Sequence, residues 1–123
     1  MANTISKVYI VGHHGPEHNE IRSIHATHAG ALKAWDELRL ELLEEGKQGL
    51  AHAKEDAKEK VETGRRIDGK PLEPDSIEYY KKIAEEGDEI RRDIVKNLSC
   101  EDPEKINNFP HETPYIEERE VVE

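Results

Sequence analysis

Cysteine is nearly absent from this chain. Cys100 is the one thiol in 123 residues, which excludes an intramolecular disulfide and a thiolate-only metal cage and fits a reducing compartment. Aromatic residues make up only 5%, too few to stack a long run of bases. No apolar run approaches the ~18 residues of a membrane helix. The start MANTISKVYIV lacks the basic region and long apolar stretch of a secretory signal. A soluble chain that is not exported is the expectation, with no membrane partner. Serine occurs only at 6, 23, 76 and 99, and none lies in a G-x-S-x-G elbow. There is no phosphate loop, no G-x-G-x-x-G and no HExxH pair. Cys100 follows a predicted helix C-terminus, where the dipole works against a thiolate nucleophile. Basic residues number 18 against 28 acidic ones, for a net charge of −10. That balance excludes bulk nucleic-acid binding through phosphates, which needs a basic surface. No catalytic residue, cofactor or metal is assigned from the sequence.

What is present is ordered along the chain. Val8 to Val11 is a continuous β-branched and aromatic run, as in a central strand covered on both faces. Gly12 opens the polar turn His13-His14-Gly15-Pro16-Glu17-His18-Asn19, and Ile21 to Ala26 alternates, so residues 5–26 read as a β-hairpin with a long polar tip. Thr27 is a candidate N-cap for a helix whose stripe is Ala31, Trp35, Leu38 and Leu42. Gly46 and Gly49 are expected to interrupt it. The stripe resumes at Leu50, Ala53, Ala57 and Val61, small residues that need a neighbour, either the next helix or another chain. Gly64 is a natural stop. Residues 65–74 form a loop with an Asp68-Gly69 turn. Asp75 or Ser76 can cap a third helix with Ile77, Tyr80, Ala84, Ile90, Ile94 and Leu98 on one stripe and a bend or close contact at Gly87. An extended connection follows, and Tyr115 to Val122 reads as a charged edge strand. The fold class is α+β: a small antiparallel sheet, N-terminal hairpin plus C-terminal strand, with two to three helices between. One domain is expected over 1–123, divided into a hairpin at 1–26, a helical segment at 27–98, and an extended loop and closing strand at 99–123.

Charge is uneven. Residues 1–62 carry 8 basic and 11 acidic groups, residues 63–123 carry 10 and 17. Against that background the cations are informative. Lys81, Lys82, Arg91 and Arg92 are explained by neighbouring glutamates on a helix. Arg65 and Arg66 head a loop and Arg119 sits on the short sheet, and a few guanidinium groups converging on a pocket hold an anionic small molecule by forked contacts. Phe109, isolated in the polar loop with Asn107 and Asn108, either plugs a core or caps a ligand. His13, His14 and His18 cluster with Glu17 and Glu20 at the hairpin tip, near Arg22. They shape a ligand pocket or donate hydrogen bonds, and as imidazole–carboxylate groups they also fit a metalloenzyme.

Residues 7–43 and the terminal PYIEEREVVE resemble small proteins common in phages and mobile elements. These begin with a VYxVxH strand, continue through a loop into a second strand, use an ExAxxAxxxL helix and close on a YxIxExEV strand. The matching residues are Val8-Tyr9-Ile10-Val11, Glu20 to Ile24, Ala31 to Leu38, and Tyr115 to Glu118. The turn His25-Ala26-Thr27-His28-Ala29-Gly30 departs from the Ser or Thr with Lys or Glu usual there. A compact sheet with two long helices and an arginine-containing loop is also similar to the phage anti-Thoeris sponge proteins. That resemblance implies a non-enzymatic counter-defence protein, working in the host cell cytoplasm as a homo-oligomer. It would sequester a cyclic nucleotide of cyclic ADP-ribose or cyclic oligonucleotide type. The candidate ligand residues come from the charge pattern and the polar loops, not from this resemblance: Arg65, Arg66, Arg119, Phe109, Asn107, Asn108, His13, His14, His18 and Arg22. Two other classes compete: an acidic inhibitor that covers a basic host protein, and a histidine-dependent metalloenzyme.

Overall fold

A computed structural model describes residues 5–15, 19–66, 68–106 and 112–122. The fold is α+β. Strand β1 (Ile5–His14) lies between β2 (Asn19–His25) and β3 (Thr113–Val122), and both pairings are antiparallel. The helices α1 (His28–Thr63), α2 (Pro74–Glu86) and α3 (Glu89–Leu98) fall between β2 and β3. The chain divides into two compact units, residues 1–43 with 96–123 and residues 44–95.

In the first unit β1 is central, as its apolar run predicts, and β3 is an outer strand. Cross-strand partners share a sheet face. Tyr9, Val11 and His13 therefore lie on one face with Ser23, His25, Glu20 and Ile116. The start of α1 meets this face, with the His28 ring edge-on to Tyr9 at 5.5 Å. The opposite face carries Val8, Ile10 and Gly12 and is open at Ile21 and Ile24 of β2. Thr27 caps α1 as expected, its Oγ1 accepting from the Gly30 amide at 3.1 Å. The predicted stripe of Ala31, Trp35, Leu38 and Leu42 is buried throughout.

Arg39 is buried among these residues. It donates to Asp36 at 3.0 and 2.7 Å and to the Leu98 carbonyl at 2.8 Å, while its guanidinium lies 5.8 Å from the Trp35 ring centroid. A helix leaves its last carbonyls without intrahelical partners, and here a buried guanidinium fills that need. Carboxylate, carbonyl and ring together compensate a charge that could not be buried alone.

The helices are divided differently from the sequence expectation. Helix α1 runs through Gly46 and Gly49 without interruption. Each glycine costs a helix about 1 kcal/mol relative to alanine, a cost that neighbouring good helix formers outweigh. What ends α1 and α2 is a positive φ, found at Gly64 (64°) and Gly87 (79°). Gly87 thus splits the expected third helix into α2 and α3. It also sits against α1, since a Cβ there would run into Leu50 Cδ1. The small-residue stripe finds its neighbour within the second unit, where Ala57 is buried. Helix α2 begins at Pro74, whose fixed φ suits the first helical position, instead of being capped by Asp75 or Ser76.

Asp88 caps α3. Its Oδ2 accepts from the Arg91 amide at 3.0 Å and its Oδ1 from the Arg91 guanidinium at 3.1 Å. Burial pushes the Asp88 carboxyl up. Hydrogen bonds from the Arg91 amide and guanidinium and from its own amide outweigh that and hold it below the ordinary value of 3.8. A depressed folded-state pKa gives stability that is present above 3.8 and lost as pH falls through the folded value. Asp88→Ala should cost about 1 kcal/mol at neutral pH. Urea midpoints at pH 7 and pH 3 check this: the gap between variant and parent should narrow at the lower pH.

Candidate functional site

Two groups of the predicted site residues come together, one in each unit. The first is built by a β-bulge. Val11 pairs with Ser23 and Gly12 with Ile21, so Arg22 is an extra residue in β2. The bulge moves Glu20 onto the helix-facing side of the sheet beside His13 and leaves Arg22 free to turn the same way. Gly12 permits this closeness: a Cβ would lie 2.5 Å from the Glu20 carbonyl oxygen and 2.7 Å from the Tyr115 hydroxyl.

His13, 7% exposed at its side chain, is held on both ring nitrogens. Nδ1 lies 2.6 Å from Glu112 Oε2, and Arg22 Nε donates to Nε2 at 3.3 Å. A donor at Nε2 places the ring proton on Nδ1, where the carboxylate accepts it. Glu20 Oε2 is 3.4 Å from Nε2, and the Arg22 guanidinium also reaches Glu20 at 3.5 Å and Glu41 of α1 at 3.4 Å. Three carboxylates surround one guanidinium and one imidazole. These contacts fasten β1, β2, α1 and the entry to β3, and an anion brought here would meet three like charges. Among the described residues no group of three or more histidine, cysteine or carboxylate side chains is arranged to hold a metal. His14 stacks against Tyr115 at 5.4 Å, and Tyr115 donates to Asn19 at 2.6 Å.

The second group is the loop after α1. Its backbone closes into a small hairpin: Leu72 donates to Gly64 at 2.9 Å, Arg66 to Lys70 at 2.8 Å and Gly69 to Arg66 at 3.0 Å. The Asp68-Gly69 turn is as the sequence predicts, with Gly69 at φ 82°. The hairpin holds Arg65 and Arg66 against the last turn of α1, where Lys60 lies over the Tyr80 ring at 4.7 Å. A cleft of about 460 Å³ is lined by Lys60, Thr63, Arg65 and Arg66 with Asp56 and Glu59. A second, of about 350 Å³, shares Lys60 and Arg66 and adds Asp68, Leu72 and Tyr80. Arg66 pairs with Asp68 at 3.3 Å. Arg65 instead donates to the Gly69 carbonyl at 2.9 Å. Among the described residues neither Arg65 nor Lys60 has a carboxylate partner.

The remaining predicted residues separate. Arg119 is on β3, hydrogen-bonded to Glu117 at 3.1 Å. Asn107, Asn108, Phe109 and His18 lie outside the described residues. Tyr80 is placed by the sequence on the apolar stripe of the third helix and Lys60 is not singled out there; nothing in their local pattern marks a shared cleft, and only the loop that folds 65–72 back toward α1 does so. Glu112 could be read from register alone, because a strand that pairs Thr113 with His14 carries residue 112 to the hairpin tip.

A third recess, of about 610 Å³, lies on the helix side of the sheet between Tyr9, His28, Leu32 and Ile116, with Glu118, Asp102 and Glu104 at its rim. Carboxylates beside an aromatic ring face suit a cation.

His13→Ala should lower stability by about 1–3 kcal/mol, because it removes a buried imidazole together with its contacts to Glu112 and Arg22. Urea unfolding measures the loss, and an unchanged midpoint would contradict the fastening role. No protein-family model matches the chain, and neither a curated protein nor a solved structure matches it.

Proposed function

We propose that this chain binds and sequesters a small anionic nucleotide, of cyclic ADP-ribose or cyclic oligonucleotide type, without turning it over. The observation that carries the reading is the convergence of Lys60, Arg65 and Arg66 beside Tyr80. Two of these three cations have no carboxylate partner among the described residues of a chain of net charge −10. Guanidinium groups would take phosphate oxygens in forked geometry, and Tyr80 offers a face to a base. The cleft's size falls within the ~300–1,000 Å³ of small-ligand sites. Its loop is braced by its own backbone hydrogen bonds, so little ordering is required on binding.

The test is depletion of free ligand from a panel of cyclic nucleotides by the purified protein. Intact ligand should return after heat denaturation. Arg65→Ala with Arg66→Ala should weaken binding at least ~100-fold, from two charge-assisted contacts worth about 1.5–3 kcal/mol each. No depletion at about tenfold protein excess, or equal depletion by the double variant, would overturn the reading. Recovery of an altered ligand would reassign the chain as an enzyme.

A second reading rests on the Tyr9 and His28 recess, whose carboxylate rim fits a lysine or arginine side chain of a basic protein. An inhibitor of that kind would associate fast through its acidic surface. Its complex should weaken tenfold or more when salt is raised from about 0.05 to 0.5 M, which a titration at both ionic strengths would show.

A further inference from the structure

Strand β2 is built inside out. An antiparallel sheet with a helix on one face ordinarily turns apolar residues toward the helix and polar ones toward water. Here Glu20, Ser23 and His25 share the helix-facing side with His13, while Ile21 and Ile24 pair with Gly12 and Ile10 on the other. That outer side is continued by Val8 on β1 and by Tyr115 and Val121 on β3. Ile10, flanked in register by Ile24 and Glu117, is 6% exposed. The open apolar area is therefore on the two outer strands: Ile21 is 57% exposed, Ile24 63% and Val121 45%.

We propose that this face is a self-association surface, covered in solution by the sheet of a second copy of the chain. Charge selects the occupant. In a chain with 37% charged residues and a net charge of −10, the face carries one glutamate and one arginine, Glu117 and Arg119. They are already paired with each other at 3.1 Å. Two copies repel through most of their surfaces, and a neutral apolar face is where they can approach. A basic partner, by contrast, finds no unpaired carboxylate here. Area sets the strength. Strands of seven to ten residues, at ~3.3 Å per residue and ~4.8 Å apart, make a face of roughly 14 by 28 Å, or about 400 Å². That is about half of the ~800 Å² per partner of a standard interface, which makes the dimer weak and concentration-dependent. The inference does not rest on nucleotide binding.

The experiment is sedimentation velocity on the whole chain from about 1 to 300 µM. The dimer fraction should rise with concentration and with salt up to about 0.5 M, because screening removes the repulsion between like-charged copies. Ile24→Lys should raise the dissociation constant at least tenfold even though it lowers the net negative charge. Ile21→Thr, which keeps a β-branched side chain, should raise it less. Ile90→Lys, at an equally exposed site on α3, should leave it unchanged. A monomer at 300 µM in high salt would overturn the proposal. So would a dimer that survives Ile24→Lys, loss of the dimer in Ile90→Lys, or association that appears only with a basic protein.

Discussion

The pleat of an antiparallel sheet gives each strand a period of two, and one additional residue changes which side chains each face receives. In β2 that residue is Arg22. Without it, strict alternation from Ser23 would send Ile21 toward α1 and Glu20 away from it. With it, Glu20 joins His13, Arg22 reaches Glu41, and Ile21 is turned outward beside Ile24. The buried polar cluster and the exposed apolar face are two results of one bulge. The cluster needs every partner, since an imidazole at 7% exposure with an unmatched carboxylate beside it would be costly. Gly12 is the residue in β1 that lets the bulged carbonyl approach. Sheet, cluster and open face therefore stand or fall together.

The two units are stabilised unequally. The first buries Trp35, Leu38, Leu42, Leu98 and Ile106 and binds Arg39 among them. In the second, Ala57 is the one buried apolar residue among those described, and α2 has none. Gly87 against Leu50 and Lys60 over Tyr80 supply close contacts there, but little apolar area leaves water. The cationic cleft belongs to this weaker unit. An anion held by Lys60, Arg65 and Arg66 would tie α1 to the loop that follows it, and a ligand that binds only the folded form stabilises it by mass action.

Much of the fold was legible in the sequence. The hairpin, the Thr27 cap, the Ala31-Trp35-Leu38-Leu42 stripe, the Asp68-Gly69 turn and the outer position of the last strand all follow from period and turn chemistry, which are local. The misplaced breaks at Gly46 and Gly49 have an equally local cause. A glycine's presence is visible in a sequence but its φ is not: Gly49 stays helical while Gly64 and Gly87 turn positive. The bulge was invisible because it depends on register between strands, and with it went the pairing of His13 with Glu112, residues far apart in sequence. Within the candidate site, Arg65 and Arg66 were legible as cations unexplained by helix pairing. Lys60 and Tyr80 were not, because a helix surface lysine and a stripe tyrosine carry no sign that a loop will bring them together.

The acidity of the chain bears on the size of what it can bind. At physiological salt, interactions between exposed charges fade within ~8 Å. A ligand inside the cleft feels Lys60, Arg65 and Arg66 together with Asp56, Glu59 and Asp68, and little of the remaining charge. Three cations against three carboxylates leave no net local attraction. Binding would then require geometry: a phosphate seated on the fork of Arg65, whose guanidinium has the Gly69 carbonyl as its partner among the described residues, and a base on Tyr80. A polynucleotide running beyond the cleft would lay further phosphates along a surface whose charge is mostly of the same sign. Each such phosphate would add repulsion without a guanidinium to meet it. On the proposed reading, selection for a short, compact anion would follow from the charge distribution, since the cleft would reward the first one or two phosphates and the rest of the surface would penalise every one after them.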